Sequence, residues 1–148
     1  CFNQREKMGN KTLAIIKPDA VKNGDTGKIY DRIIQSNYKI LSSKLLKMTK
    51  AQAEGFYAVH QKRPFYNELT VFMSSGPCMV LALEKDNAVP SWRETIGATN
   101  PAEAADGTIR NDFATNVQEN AVHGSDSDEN AQKEIAFFFM ESELLSNQ

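Results

Sequence analysis

His123 lies in the stretch Asn120-Ala-Val-His-Gly-Ser-Asp-Ser127, where a short extended segment runs toward a helix. Imidazole is the side chain most easily poised near pH 7 between neutral nucleophile or base and charged acid. Asn120 to His123 reads as extended, Gly124 as a break, and Ser125-Asp126-Ser127 as capping chemistry before the amphipathic run Ala131 to Phe139. His123 is therefore expected at a strand-to-helix junction, a place where rigid elements hold reactive groups. Ala131, Ile135 and Phe138 define the buried stripe of the helix, and Glu134 falls beside it. A carboxylate facing a core is costly unless it finds a donor. Either His123 supplies that donor, with Ser125 completing a chain that fixes the imidazole's orientation and tautomer, or Glu134 points to solvent beside Lys133.

Cations and hydroxyls stand in unusual places elsewhere: Lys17 at a strand end, Arg93 beside an apolar helix stripe, Thr99 and Arg110 in a long aperiodic segment. Each alone reads as a solvated surface group. Together they suggest a clamp for polyphosphate, since the guanidinium fork fits phosphate oxygens and lysine acts as a compact charge. The chain has no Gly-x-x-x-x-Gly-Lys-Ser/Thr, so side chains rather than a P-loop backbone would have to hold the phosphates. Phe65, after Pro64, could offer one flat face to a base and Val117 the other; the alternative puts both in the core. Such a slot would accept many bases, because every base has a π face.

These groups must be carried by regular elements. Thr12 to Lys17 reads as a buried strand ended by Pro18, and Thr26 to Asn37 as a helix with Ile29, Tyr30, Ile33 and Ile34 on one face. Tyr38 to Met48 returns as a strand. Thr49 and Gln52 form a capping box for a helix that carries Ala53, Phe56 and Tyr57 inward and stops at Arg63-Pro64. Phe65 to Ser74 reads as a short helix, Cys78 to Leu83 as a central strand, and Val89, Trp92 and Ile96 as a helical stripe ended by Gly97. From Ala98 to Asn116 periodicity is lost, and a long loop is expected. The order of elements predicts an α+β fold of ferredoxin-like βαββαβ type, an antiparallel four-stranded sheet covered by helices.

With 148 residues, 41% of them hydrophobic and 24% charged, the chain is expected to fold as a single domain with its own core. A net charge of −2 gives no general attraction to nucleic acid or an anionic membrane. The two cysteines, Cys1 and Cys78, argue against a disulfide framework and for a reducing compartment. With no apolar stretch near the roughly 20 residues of a membrane span, the expected location is the cytoplasm. Residues 1–10 read as a polar N-terminal extension, with Met8 as a natural start, and residues 11–148 as the domain.

The stretch around His123 resembles the active-site segment of nucleoside diphosphate kinases. The resemblance extends to Thr12-Leu-Ala-Ile-Ile-Lys-Pro-Asp-Ala20, Phe56-Tyr57 through Arg63-Pro-Phe-Tyr66, Ser75-Gly-Pro77, Arg93 through Gly97-Ala-Thr-Asn-Pro101, and Gly107-Thr-Ile-Arg-Asn-Asp-Phe113. It implies the ferredoxin-like fold and transfer of the γ-phosphoryl group from a nucleoside triphosphate such as ATP to a nucleoside diphosphate. It also implies ping-pong kinetics through a phosphohistidine at His123, attacking through Nδ1.

By the same resemblance, Ser125 and Glu134 orient His123, and Tyr57 lies close to it. Phe65 and Val117 bracket the base with Leu69 nearby, and Lys17 and Asn120 contact the ribose. His60, Arg93, Thr99 and Arg110 line the phosphates. Mg²⁺ would arrive on the nucleotide, with Asp126 reaching it through water, and the protein would be a homo-oligomer, tetramer or hexamer. Tyr66, where the family has a second phenylalanine, and the loosely matching segment 140–148 are the departures. A non-catalytic nucleotide-binding module on the same fold is the rival reading, because fold alone does not define function. Against it, His123, Glu134, Arg93, Arg110 and Lys17 are all present.

Overall fold

Strand β1 (Lys11–Ile16) is apolar on both faces because it is covered on both faces. It pairs antiparallel with β3 (Cys78–Glu84), in register from Lys11 opposite Glu84 to Ile16 opposite Met79. On its other side it pairs antiparallel with β4 (Val122–Gly124), where Ile15 lies opposite His123. β2 (Lys39–Leu46) pairs with β3 and carries an irregularity between Ile40 and Ser42, so the sheet order is β2-β3-β1-β4. This is the expected ferredoxin-like sheet, seen here in a computed structural model that describes residues 9–145.

Alternation along the central strands divides the core in two. Ala14, Ile16, Leu81 and Leu83 face α2 (Thr26–Gln35), α5 (Ala88–Ile96) and α6 (Ile109–Phe113), meeting Ile29, Ile33, Trp92, Ile96 and Ile109. Leu13, Ile15, Val80 and Ala82 face α3 (Lys50–Phe56), α4 (Tyr66–Met73) and α7 (Asp128–Phe138), meeting Ala53, Met73 and Ile135. The period of two sends neighbouring residues of one strand into different cores.

The local signals explain most boundaries. Thr49 and Gln52 exchange the two hydrogen bonds of a capping box at α3, and the Ser127 side chain accepts the Asn130 N–H at the start of α7. Four expectations need correction. Gly124 is the last residue of β4, not a break before α7. α3 ends at Phe56, well before Arg63-Pro64, and a 3₁₀ turn at Ala58–His60 follows. The segment from Ala98 to Asn116 contains a 3₁₀ turn (Pro101–Glu103) and α6, both too short to leave a helical period in the sequence. Finally, Pro18 does more than end a strand: as the first residue of α1 (Pro18–Lys22) it starts a one-turn helix, a position that suits its missing N–H. The expected N-terminal extension falls on residues 1–8, outside those described, apart from Gly9 and Asn10, whose carbonyls accept from Ala88 and Lys85.

Gly124 owes its identity to Trp92. A Cβ at this position would lie 2.7 Å from Trp92 Cδ1 and 3.2 Å from Ile96 Cδ1, inside the close contact of β4 with α5. Gly124→Ala must therefore shift the strand or the indole, and overpacking of this kind costs about 1–3 kcal/mol. Urea denaturation should show a lower midpoint with an unchanged slope; an unaltered midpoint would mean that the contact yields freely.

Candidate active site

His123 is the middle residue of β4, at the edge of the sheet, and its backbone is fixed before its side chain is considered. Its carbonyl accepts the Trp92 indole N–H at 3.1 Å. Its Nε2 lies 2.9 Å from Glu134 Oε1, and Ser125 Oγ donates to the same oxygen at 2.7 Å. Ser125 Oγ in turn accepts the Leu13 N–H at 3.2 Å, which ties the trio to β1. An ionised carboxylate only accepts, so the proton between the pair belongs on Nε2, and Nδ1 keeps its lone pair. Of the two settings open to Glu134, the one against His123 is therefore found. Phe56 and Tyr57 flank the imidazole edge-on, with ring centroids 5.5 and 6.3 Å away.

A second group of side chains converges from the opposite core. Lys17 and Arg110, singly read as solvated, are 7% and 8% exposed. Lys17 Nζ donates to Asn120 Oδ1 at 2.7 Å, and Asn120 Nδ2 donates to the Thr99 carbonyl at 3.2 Å. Arg110 sits on α6 rather than in a loop, and its two terminal nitrogens donate to the carbonyls of Gly97 and Val122 at 3.0 and 2.9 Å. Arg93, Thr99 and Arg110 line one cleft of about 460 Å³, together with Gly97, Thr108 and the acidic Glu94 and Glu103.

The electrostatics of this group are unfavourable without an anion. Burial, and then the Arg110 charge, lowers Lys17 to about 8, against an opposing pull from Asp19. Burial, and then neighbouring Arg93, lowers Arg110 to about 10. Among the described residues Arg110 Nε and the Tyr57 hydroxyl are buried without hydrogen-bond partners. Cations crowded so closely are relieved by a ligand carrying several negative charges.

Of the remaining positions, Tyr57, His60 and Phe65 form a trail of rings leading away from His123. The Tyr57 and His60 rings stack with centroids 6.5 Å apart, and His60 lies 5.7 Å from Phe65. Phe65 is 47% and Val117 55% exposed, so neither belongs to the core. Leu69 packs half-buried against the core beneath α4. Val117 lies within the Thr115–Glu119 turn, which is closed by the Thr115 N–H to the Glu119 carbonyl at 2.8 Å. Asp126 is exposed and accepts from Asn130 Nδ2 at 2.6 Å. No group of three or more His, Cys, Asp or Glu side chains that could hold a metal ion occurs among the described residues.

Two residues of the site escaped the sequence reading. The helical spacing of Trp92 predicts a core position, which is right for the ring but silent about the N–H that grips the His123 carbonyl. Asp19 is 7% exposed, and its Oδ2 accepts the Ala121 N–H at 3.1 Å. A lone acid two residues after Lys17, between Ile15-Ile16 and Ala20-Val21, is the available signal, because buried carboxylates need donors.

The displaced lysine pKa has a testable sign. A folded value below the unfolded one means that the unfolded chain binds more protons between the two, so this group raises stability as pH increases above about 8. Burial holds Cys78 up to about 11, which works in the opposite sense, and comparison with Lys17→Met cancels that contribution. The stability of wild type relative to Lys17→Met should rise by about 1 kcal/mol per pH unit between roughly pH 8 and 9.5, measured by urea unfolding. A pH-independent difference would mean that Lys17 is not held below its ordinary value.

Comparison with known proteins agrees with this geometry. The sequence model of the family described as nucleoside diphosphate kinase matches residues 10–144. Nucleoside diphosphate kinases of Salinibacter ruber and Geotalea uraniireducens are 54% and 56% identical, over 93% and 91% of this chain and 96% and 98% of their own lengths. The crystal structure of the Aquifex aeolicus nucleoside diphosphate kinase superposes with a TM-score of 0.89 at 46% identity, covering 90% of this chain and 97% of that one. The Halobacterium salinarum enzyme, solved in complex with CDP, gives 0.86 at 34% identity, covering 90% of each chain. With His123, its carboxylate and the facing cations in place, and with nearly the whole chain matched, this protein belongs to the nucleoside diphosphate kinase family.

Proposed function

We propose that this chain, a nucleoside diphosphate kinase, carries the phosphoryl group on His123 between a donor triphosphate and an acceptor diphosphate. The observation that carries this reading is the 2.9 Å contact between His123 Nε2 and Glu134, which leaves Nδ1 as the free nucleophilic nitrogen. The Nδ1 lone pair attacks the γ-phosphorus of a triphosphate such as ATP, an Nδ1–P bond forms, and the bond to the β,γ-bridging oxygen breaks. The diphosphate leaves with that electron pair. The ring, still protonated on Nε2, becomes cationic, and the Glu134 carboxylate is placed to stabilise that charge. A second diphosphate then attacks the phosphohistidine and restores the imidazole, so kinetics are ping-pong.

Phosphoryl transfer depends mainly on positioning and charge neutralisation. We assign the phosphates to Arg93, Thr99 and Arg110 with His60 beside them, the ribose to Lys17 and Asn120, and the base to the slot between Phe65 and Val117 with Leu69 beneath. Tyr57, whose buried hydroxyl is unpartnered among the described residues, is assigned to the neighbourhood of the reacting phosphate. We assign Mg²⁺ to the nucleotide phosphates, as part of the substrate. Asp126 is the carboxylate we assign to a water-mediated contact with it.

No helix among the described residues is long and apolar enough to cross a membrane. The free, buried Cys78 thiol supports a reducing compartment, and we place the protein in the cytoplasm. Exposed apolar side chains such as Ile34, Leu45 and Val71 support assembly into a homo-oligomer, tetramer or hexamer.

Brief incubation with Mg·ATP followed by intact-protein mass measurement should add a single phosphate to the wild type, lost in acid and missing from His123→Ala. His123→Ala should still bind nucleotide. An adduct of equal yield on His123→Ala would assign the chemistry to another residue.

A further inference from the structure

Ala121 has φ of +72°, in the left-handed region. The other described non-glycine residues with positive φ are Asn37 and Asn87, and asparagine tolerates this conformation through its short polar side chain. Alanine has no such help. Its cost must be met by neighbours that fix the backbone from both sides.

Those neighbours come from one turn of chain. The Ala121 N–H donates to Asp19 Oδ2 at 3.1 Å, and the Ala121 carbonyl accepts the Lys17 N–H at 2.8 Å. Lys17 Nζ holds Asn120 Oδ1 at 2.7 Å, and the Val122 N–H donates to the Asn120 carbonyl at 2.8 Å. Residues 17–19 thus clasp residues 120–122 immediately before His123. Asp19 is buried, its Oδ1 has no partner among the described residues, and desolvation raises its pKa. Its own backbone N–H and the charge of Lys17 offset part of that cost, and the hydrogen bond its side chain makes to a distant part of the chain is to the strained residue.

We propose that Asp19 is a positioning residue for phosphoryl transfer: by accepting the Ala121 N–H it holds the left-handed turn that sets His123 and Asn120 in their working places. The proposal rests on the reading of His123 as the nucleophile. Released from Asp19, Ala121 relaxes to negative φ, and rotation there re-aims Asn120 on one side and His123 on the other. Glycine at 121 adopts the positive φ without the clasp, because it lacks a Cβ.

The test is the rate of phosphohistidine formation at saturating Mg·ATP, per folded enzyme and well below the melting temperature. The proteins compared are wild type, Asp19→Asn, Asp19→Ala and Asp19→Ala combined with Ala121→Gly. The left-handed penalty for alanine corresponds to a rate loss of about tenfold in Asp19→Ala. The added Ala121→Gly should recover most of that loss. Asp19→Asn, which keeps the size and an acceptor oxygen, should stay within about threefold of wild type on the same scale. A merely structural Asp19 would lower the melting temperature and leave the rate per folded molecule unchanged.

Overturning results are a folded Asp19→Ala protein that is phosphorylated as fast as wild type, or one whose loss Ala121→Gly does not reduce. If Asp19→Ala does not fold, Asp19→Asn decides, and a loss there of tenfold or more refutes the role of the acceptor oxygen. Absence of phosphohistidine in the wild type would overturn the nucleophile itself, an outcome separate from all of these.

Discussion

The carboxylate of Glu134 is the constraint around which the site is arranged. It projects from α7 beside residues that pack into the core, and its side chain is only 19% exposed. A charge in that position requires donors, and the two it has, His123 Nε2 and Ser125 Oγ, come from β4 and the residue following it. Meeting that requirement fixes the tautomer of the imidazole, docks the entrance of α7 on the sheet and, through the Leu13 N–H to Ser125, links both to the central strand. In the proposed reaction, electrostatic necessity and catalytic preparation coincide here. The same hydrogen bonds that remove a desolvation cost leave the other ring nitrogen with its lone pair for the proposed attack.

On the other side of β4 the logic is reversed. Lys17 and Arg110 are both buried, both lowered in pKa by that burial, and Arg110 is further opposed by Arg93. Their hydrogen-bond partners are neutral carbonyls and an amide oxygen, and the Asp19 carboxylate offsets only part of the Lys17 charge. Such partners orient a cation without cancelling its charge. The fold therefore tolerates a local concentration of positive potential that an apolar packing would avoid, and an anionic ligand is what offsets it.

Much of this could be read from the residues. The capping box at Thr49, the cap at Ser127 and the doubly apolar central strands gave the element order, and the position of Glu134 on its helix pointed to His123. What the sequence did not disclose has a common physical cause. Single-turn elements such as α1 and α6 are too short to generate periodicity, so Arg110 appeared to lie in a loop and Pro18 only to end a strand. Burial of a charged residue is a property of its three-dimensional neighbours, which is why Lys17 and Arg110, taken singly, read as surface groups, and why Asp19 drew no reading at all. The positive φ of Ala121 has no sequence marker, since the residue that normally signals it, glycine, is absent.

The clasp joins parts of the chain that are far apart in order of synthesis: Lys17 meets Asn120 across 103 positions, and Leu13 meets Ser125 across 112. Closing such loops costs entropy that is recovered only when the final pairings form. A nascent chain that has emerged as far as Val117 holds β1, β2, β3 and the cleft arginines, yet has neither the proposed nucleophile nor the strand that would carry it. In the proposed reading, phosphoryl transfer therefore waits for the segment that carries His123. Strand β4 completes the sheet and the proposed site together, so a chain cut before it would lack the proposed nucleophile as well as an edge of the sheet.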